Sequence, residues 1–218
     1  MEKFSDEAKR LGHVPVLEVK FERGDQDFST QLRMLKNARL DGVVIWGEAP
    51  EAAQILKQMR AMGMEQPVFG SSRLCYPELI ESAGAAAEGL VTTAALDPTR
   101  TDFRWSNFEK AYRAKFEAEP DAYAAYAYDG IHLLIIAVEK AGLNRGQIMD
   151  ALRENMTHDY QGVAGREHFD YTLNNITPPG LARVKGGEFV YFPPKEQTPV
   201  ANEQPPVKGD APMPRVLW

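Results

Sequence analysis

The sequence predicts an α/β fold: a parallel sheet with helices on both faces. Three observations carry that expectation. Short apolar runs alternate with amphipathic stretches along residues 14–96, which is the pattern of βαβ units. The runs themselves are apolar almost throughout, as strands covered on two sides are. Glycine or proline stands at most of the junctions, closing one helix or opening the next.

Taken in order, residues 4–11 read as a helix that Gly12 stops, because glycine accepts the left-handed position at a helix end. Residues 14–21 read as a strand. Asp27 and Ser29 open a second helix, whose apolar face is Leu32, Met34, Leu35 and Leu40. Residues 42–46 are a buried strand. Pro50 suits the first turn of a helix carrying Ala52, Ile55, Leu56 and Met59 to a stop at Gly63. A strand over 67–70, a short helix from Pro77 to about Ala83 and an apolar run over 90–96 complete the alternation.

Beyond residue 96 the rhythm changes. Three helices follow one another at 102–116, 122–141 and 145–155, with no strand between them. The middle one is apolar around much of its circumference, and that pattern predicts burial on several sides. Short strands are expected at 162–165, 168–170, 181–184 and 189–192. Seven of the 15 prolines fall in the last 26 residues, so 193–218 is expected to be an extended tail.

Composition narrows the function. The chain has 218 residues and a net charge of −6, from 25 Lys and Arg against 31 Asp and Glu. That is the wrong sign for general attraction to phosphates, so no nucleic-acid partner is expected. A single cysteine, Cys75, excludes an intramolecular disulfide or a cysteine-based zinc site. The opening residues are charged from Glu2 and hold no apolar core of signal-peptide length, so the chain as written is not expected to be addressed for export.

No catalytic pattern stands out. The histidines (His13, His132, His158, His168) have no metal-ligand spacing, and no glycine-rich phosphate loop occurs. No metal and no cofactor are expected, and the chain is not expected to be an enzyme. What remains is the crevice beyond the carboxyl ends of the strands, where open α/β sheets bind ligands. Two loops reach it, one running from Trp46 through Glu48 and Ala49, the other carrying Ser71, Ser72 and Arg73. Backbone N–H groups, hydroxyls and the Arg73 guanidinium suit a small polar or anionic ligand, and Glu48 suits an ammonium. The same residue types also cap helices, Ser71 and Ser72 as turn formers and Glu48 as a carboxylate at a helix start, so both readings stand at this point.

An ordered series of segments resembles one family. It runs from Asp27-Phe-Ser-Thr-Gln-Leu-Arg-Met-Leu-Lys36 through Asp41-Gly-Val-Val44 and Pro50-Glu-Ala-Ala-Gln-Ile-Leu-Lys-Gln-Met-Arg-Ala-Met-Gly63. It continues with Gly84-Ala-Ala-Ala-Glu-Gly89, Tyr126-Ala-Tyr-Asp-Gly130 and Glu139-Lys-Ala-Gly142. Together, over residues 4–192, these are similar to periplasmic solute-binding proteins of the leucine/isoleucine/valine-binding type, which serve ABC transporters.

The resemblance implies two α/β lobes that close on a ligand, with one lobe nearly complete here and helices of the other. Residues 1–96 would be the second lobe without its first strand, 97–160 helices of the first lobe, and 161–192 short strands and the hinge return. Asp97, Pro98, Gln161 and Gly162 would be hinge crossings. In the amino-acid-binding members an aromatic or small residue falls near Glu48 and Ala49, and an acid for the ligand's ammonium falls near Ser72. Neither position keeps the expected type, so an amino acid, an aromatic acid and an amide all stay open. The family's first sheet would precede Met1, so the chain is expected to be part of a longer, periplasmic protein that feeds a transporter permease. Without that sheet, the helix over 122–141 is expected to expose an apolar face and to favour self-association. A sensor domain of the same fold and, more remotely, a Rossmann-like nucleotide enzyme are the rival readings.

Overall fold

A computed structural model describes residues 2–13, 15–157, 160–170, 172, 174–192 and 216–217. The chain divides into unit 1, residues 1–94 with 181–218, and unit 2, residues 95–180.

Unit 1 opens with helix α1 (Glu2–Arg10) and α2 (Ser29–Asn37), then alternates strand and helix: β1 (Gly42–Ile45), α3 (Ala49–Ala61), β2 (Val68–Gly70), α4 (Pro77–Ala83) and β3 (Val91–Ala94). Asp27 starts α2 by accepting the Ser29 amide at 2.9 Å. Gly63 follows α3 with φ +68°, a conformation that suits glycine. β1, β2 and β3 pair in parallel, Val43 beside Val68 and Phe69 beside Val91. In β1, Val43 and Ile45 are buried and the intervening Val44 is half-buried, so both faces of the strand are covered.

Unit 2 holds α5 (Phe103–Phe116), α6 (Ala122–Ala141), α7 (Arg145–Thr157), β4 (Tyr160–Gln161) and β5 (Arg166–Glu167). Asp102 caps α5 by accepting from the Trp105 amide at 3.2 Å, and Asp121 caps α6 through the Ala124 amide at 2.8 Å. A small core gathers Leu96, Trp105, Phe108, Ala125 and Val163. The Trp105 indole N–H donates to the Pro98 carbonyl at 3.2 Å.

The chain then completes the first sheet with β6 (Gly180–Lys185), β7 (Glu188–Phe192) and β8 (Val216–Leu217), in the order β7-β6-β3-β2-β1-β8. β6 and β7 form an antiparallel hairpin, so the sheet is mixed. Gly186 and Gly187, at φ +62° and +81°, make its two-residue turn, where positive φ at both positions matches the strand twist. The core of the unit sits around Phe28, Leu32, Leu56, Met59, Val68 and Leu79.

Several expectations need correcting. Residues 15–22 form no strand, although their burial alternates and Leu17, Val19 and Phe21 pack on the core. β1 pairs with β8 at Gly42–Val216 and Val43–Leu217, so this segment keeps the period of a strand without joining the ladder. Residues 162–165 are the turn between β4 and β5, and 168–170 contribute only a bridge from Phe169 to Asn175. Gln161 and Gly162 lie inside unit 2, where the Gly162 amide donates to the Gly165 carbonyl at 2.8 Å. The return to unit 1 falls at 180–181, and Asp97 and Pro98 follow closely on the 94–95 division.

α6 is not buried on several sides. Only Ala125, Asp129, Leu133 and Ala137, four residues apart, are buried, while Tyr123 is 67% and Ile131 57% exposed. α6 therefore has a cover along one stripe alone. The expected tail over 193–218 lies outside the described residues except at Val216 and Leu217, and His158 lies outside them too. No helix among the described residues is long and apolar enough to cross a membrane.

Candidate functional site

The alternation of β1, α3, β2 and α4 sends two loops out from the carboxyl ends of neighbouring parallel strands. Trp46, Gly47 and Glu48 lie between β1 and α3, Ala49 opens α3, and Ser71 begins the loop after β2, which continues as a 3-10 turn over Ser72–Leu74. In-register pairing of Ile45 with Gly70 brings the two loop origins side by side. Ser71, Ser72 and Arg73 thus start from the strand next to the one that presents Trp46, Glu48 and Ala49.

Local sterics fix the first loop. A Cβ at Gly47 would lie 2.8 Å from the Phe21 ring, so glycine is needed for the ring to sit over this backbone. Trp46 is about half exposed and meets the Phe4 ring at 6.0 Å between centroids. In the second loop a Cβ at Gly70 would lie 2.6 Å from Leu74 Cδ1, so glycine there lets Leu74 fold back over the end of β2.

The side chains of Glu48 and Ser71 make no helix-capping bonds. Glu48 stands before α3 in an extended conformation and makes no capping bond, and Ser71 makes none to the 3-10 turn. Glu48 instead accepts from the Arg73 guanidinium, tying the two loops together. Both side chains are well exposed, so the pair adds little stability in water. Its effect is on charge: the Glu48 carboxylate is matched, while the other guanidinium hydrogens and the Ser72 hydroxyl remain the polar groups of the second loop.

Two further hydroxyls lie buried with no hydrogen-bond partner among the described residues, Ser71 Oγ and Thr92 Oγ1. Thr92 sits on β3 opposite Gly70, one residue before Ser71. Sequence reasoning passed over Thr92. The signal was there, since Thr92 and Thr93 are the polar residues in an otherwise apolar run. A separate cavity of about 280 Å³ runs along β1 beneath residues 18–22, and of the six expected ligand residues only Trp46 lines it.

With this geometry in view, comparison with known proteins is informative. The family described as "Periplasmic binding protein" matches residues 1–188. The Leu/Ile/Val-binding protein homolog 2 of Brucella abortus (strain 2308) is 33% identical over 167 residues, 74% of this chain and 44% of that protein. Among solved structures, a leucine binding protein LivK from Thermotoga maritima superposes with a TM-score of 0.76 at 32% identity, covering 87% of this chain and 54% of that one. The branched-chain amino acid transporter substrate binding protein LivJ from Streptococcus pneumoniae, in complex with isoleucine, gives 0.65 at 31% identity, covering 78% and 50%. The chain thus spans less than half the length of that curated relative and about half of those solved chains.

Proposed function

We propose a function from one premise: this chain belongs to the periplasmic binding protein family. It binds a small polar or anionic solute without transforming it, as part of a periplasmic receptor that hands the solute to an ABC transporter permease. Unit 1 acts as one lobe and carries the solute-binding loops, and the helices of unit 2 act as part of the other lobe. Trp46, Glu48, Ala49, Ser71, Ser72 and Arg73 form the solute site on unit 1, and Asp97 and Pro98 lie at a crossing.

The observation that carries this reading is the Glu48–Arg73 pair joining two loops at the carboxyl ends of adjacent parallel strands. Two similar structures are named for binding leucine or for a complex with isoleucine. Here the position expected to hold an acid for a ligand's ammonium is Ser72, and the nearby carboxylate of Glu48 is already met by Arg73. A guanidinium and hydroxyls favour a carboxylate or amide on the ligand. Among amino acids, aromatic acids and amides, solutes bearing a carboxylate are therefore the first to test.

The test is thermal melting of the chain against such a panel. A carboxylate solute should raise the melting temperature, and Arg73→Ala should abolish the rise while leaving the unliganded melt in place. No shift with any panel member, or an undiminished shift in Arg73→Ala, rejects the reading. The exposed apolar side chains of α6 support a second proposal, self-association through the 122–141 helix.

A further inference from the structure

Unit 2 contains a pair of buried carboxylates outside the proposed solute site. Asp129, midway along α6 and 2% exposed, accepts the amide hydrogens of Val163 and Ala164, each at 2.8 Å. One side chain thereby holds the turn between β4 and β5 against a helix. Gly162 makes the approach possible, since a Cβ there would lie 2.2 Å from Asp129 Oδ2. Arg100 braces the same turn by donating to the Val163 carbonyl at 3.1 Å while pairing with Asp102 at 2.6 Å.

Glu167 stands on β5 opposite Tyr160, just beyond that turn. It is 5% exposed, and its Oε1 has no hydrogen-bond partner among the described residues. A carboxylate that is buried, short of donors and near a second carboxylate is penalised as an anion by both desolvation and repulsion. The groups that interact with it are Asp129 and Tyr126 from α6 and Tyr160 from β4, with Arg166 and His168 on either side of it in sequence; Arg100 acts on Tyr126 and Arg104 on Tyr160. Arg100 is engaged by Asp102 and the turn. Tyr160 is itself held protonated, up to about 12, by burial and by Asp129.

We propose that Glu167 is a proton-operated latch on the β4–β5 turn. Protonated, it leaves the Asp129 carboxylate free to clamp Val163 and Ala164. Ionised, it sets a second buried negative charge against that clamp and loosens it. Burial, then Asp129, raises the Glu167 carboxyl from 4.5 to about 7. A raised value means that the closed turn holds the proton more tightly than an opened one. Glu167's contribution to the clamp is therefore fully present below about 4.5, is lost as pH rises from there to about 7, and changes no further above. Residues 168–180 lead from this turn to the return at 180–181, so the latch sets how firmly that stretch is anchored at its start.

Amide hydrogen exchange at Val163 and Ala164 tests the latch, with rates corrected for the intrinsic pH dependence and measured on the whole 218-residue chain. Protection should fall roughly fiftyfold between pH 5 and pH 8 in the unaltered protein and stay level in Glu167→Gln, which imitates the protonated form. Level protection in the unaltered protein, or an equal fall in Glu167→Gln, overturns the proposal. A carbon-13 titration of the Glu167 carboxyl gives an independent reading on the unaltered protein. A midpoint near 7 supports the latch, and one near the usual 4.5 rejects it.

Discussion

α3 in unit 1 and α6 in unit 2 are both helices with apolar side chains to bury, and they fare differently. Ala52, Ala53, Leu56 and Met59 of α3 are completely buried. α6 is longer and more apolar, yet it leaves Ile131, Leu134, Ile135 and Ile136 in water along with three of its tyrosines. The difference lies in what each helix rests on. α3 belongs to a unit with a six-stranded sheet, whereas among the described residues the strands within unit 2 are β4 and β5, two residues each. Hydrophobicity tells how much cover a helix needs; the neighbouring layer decides how much it gets.

Paired substitutions sharpen this contrast. Leu56→Ala should cost about 2–5 kcal/mol in urea-unfolding stability, because its contacts are complete and cannot all collapse into the space left behind. Ile131→Ala, an aliphatic truncation on the exposed side of α6, should stay within about 0.5 kcal/mol. A loss at Ile131 equal to that at Leu56 would mean that α6 is covered in solution. Asp121→Ala removes the cap of α6 and should lower stability by about 1 kcal/mol, read from the helical signal in thermal melts. Smallest in stability but clearest in behaviour, Ile131→Lys combined with Ile135→Lys should reduce binding of an apolar-surface dye and lower the average mass in sedimentation. Unchanged values for both would count against self-association through α6.

Much of unit 1 was legible because its residues obey local rules. Gly63 and Pro77 mark boundaries by backbone geometry alone, and the run over 42–45 can be little else than a covered strand. Residues 15–22 show where such rules end. Their burial has a period of two, but a strand also requires a partner, and β1 pairs with β8 from the far end of the chain. The loop residues at Glu48 and Arg73 could be singled out by type and position, while their pairing depends on strand register and was not predicted. Asp129 and Glu167 were invisible for a related reason. An Asp within an apolar helix reads as a solvated polar residue until the Val163 and Ala164 amides, 34 and 35 residues away, are brought to it.

The seam between β3 and β6 has a consequence for biogenesis. Val184 bonds to Gly89 and Leu90 across it, so two neighbours in one sheet are separated by the whole of unit 2. Closing so long a loop adds little to the equilibrium cost, since that cost grows only with the logarithm of length. Time is the greater burden. At about 5–20 residues per second, a ribosome needs roughly 5–20 s to pass from Leu90 to Val184. Through that interval β3 is the open margin of a nascent sheet, available to any other extended strand, and the cell must shield it until the hairpin of β6 and β7 emerges.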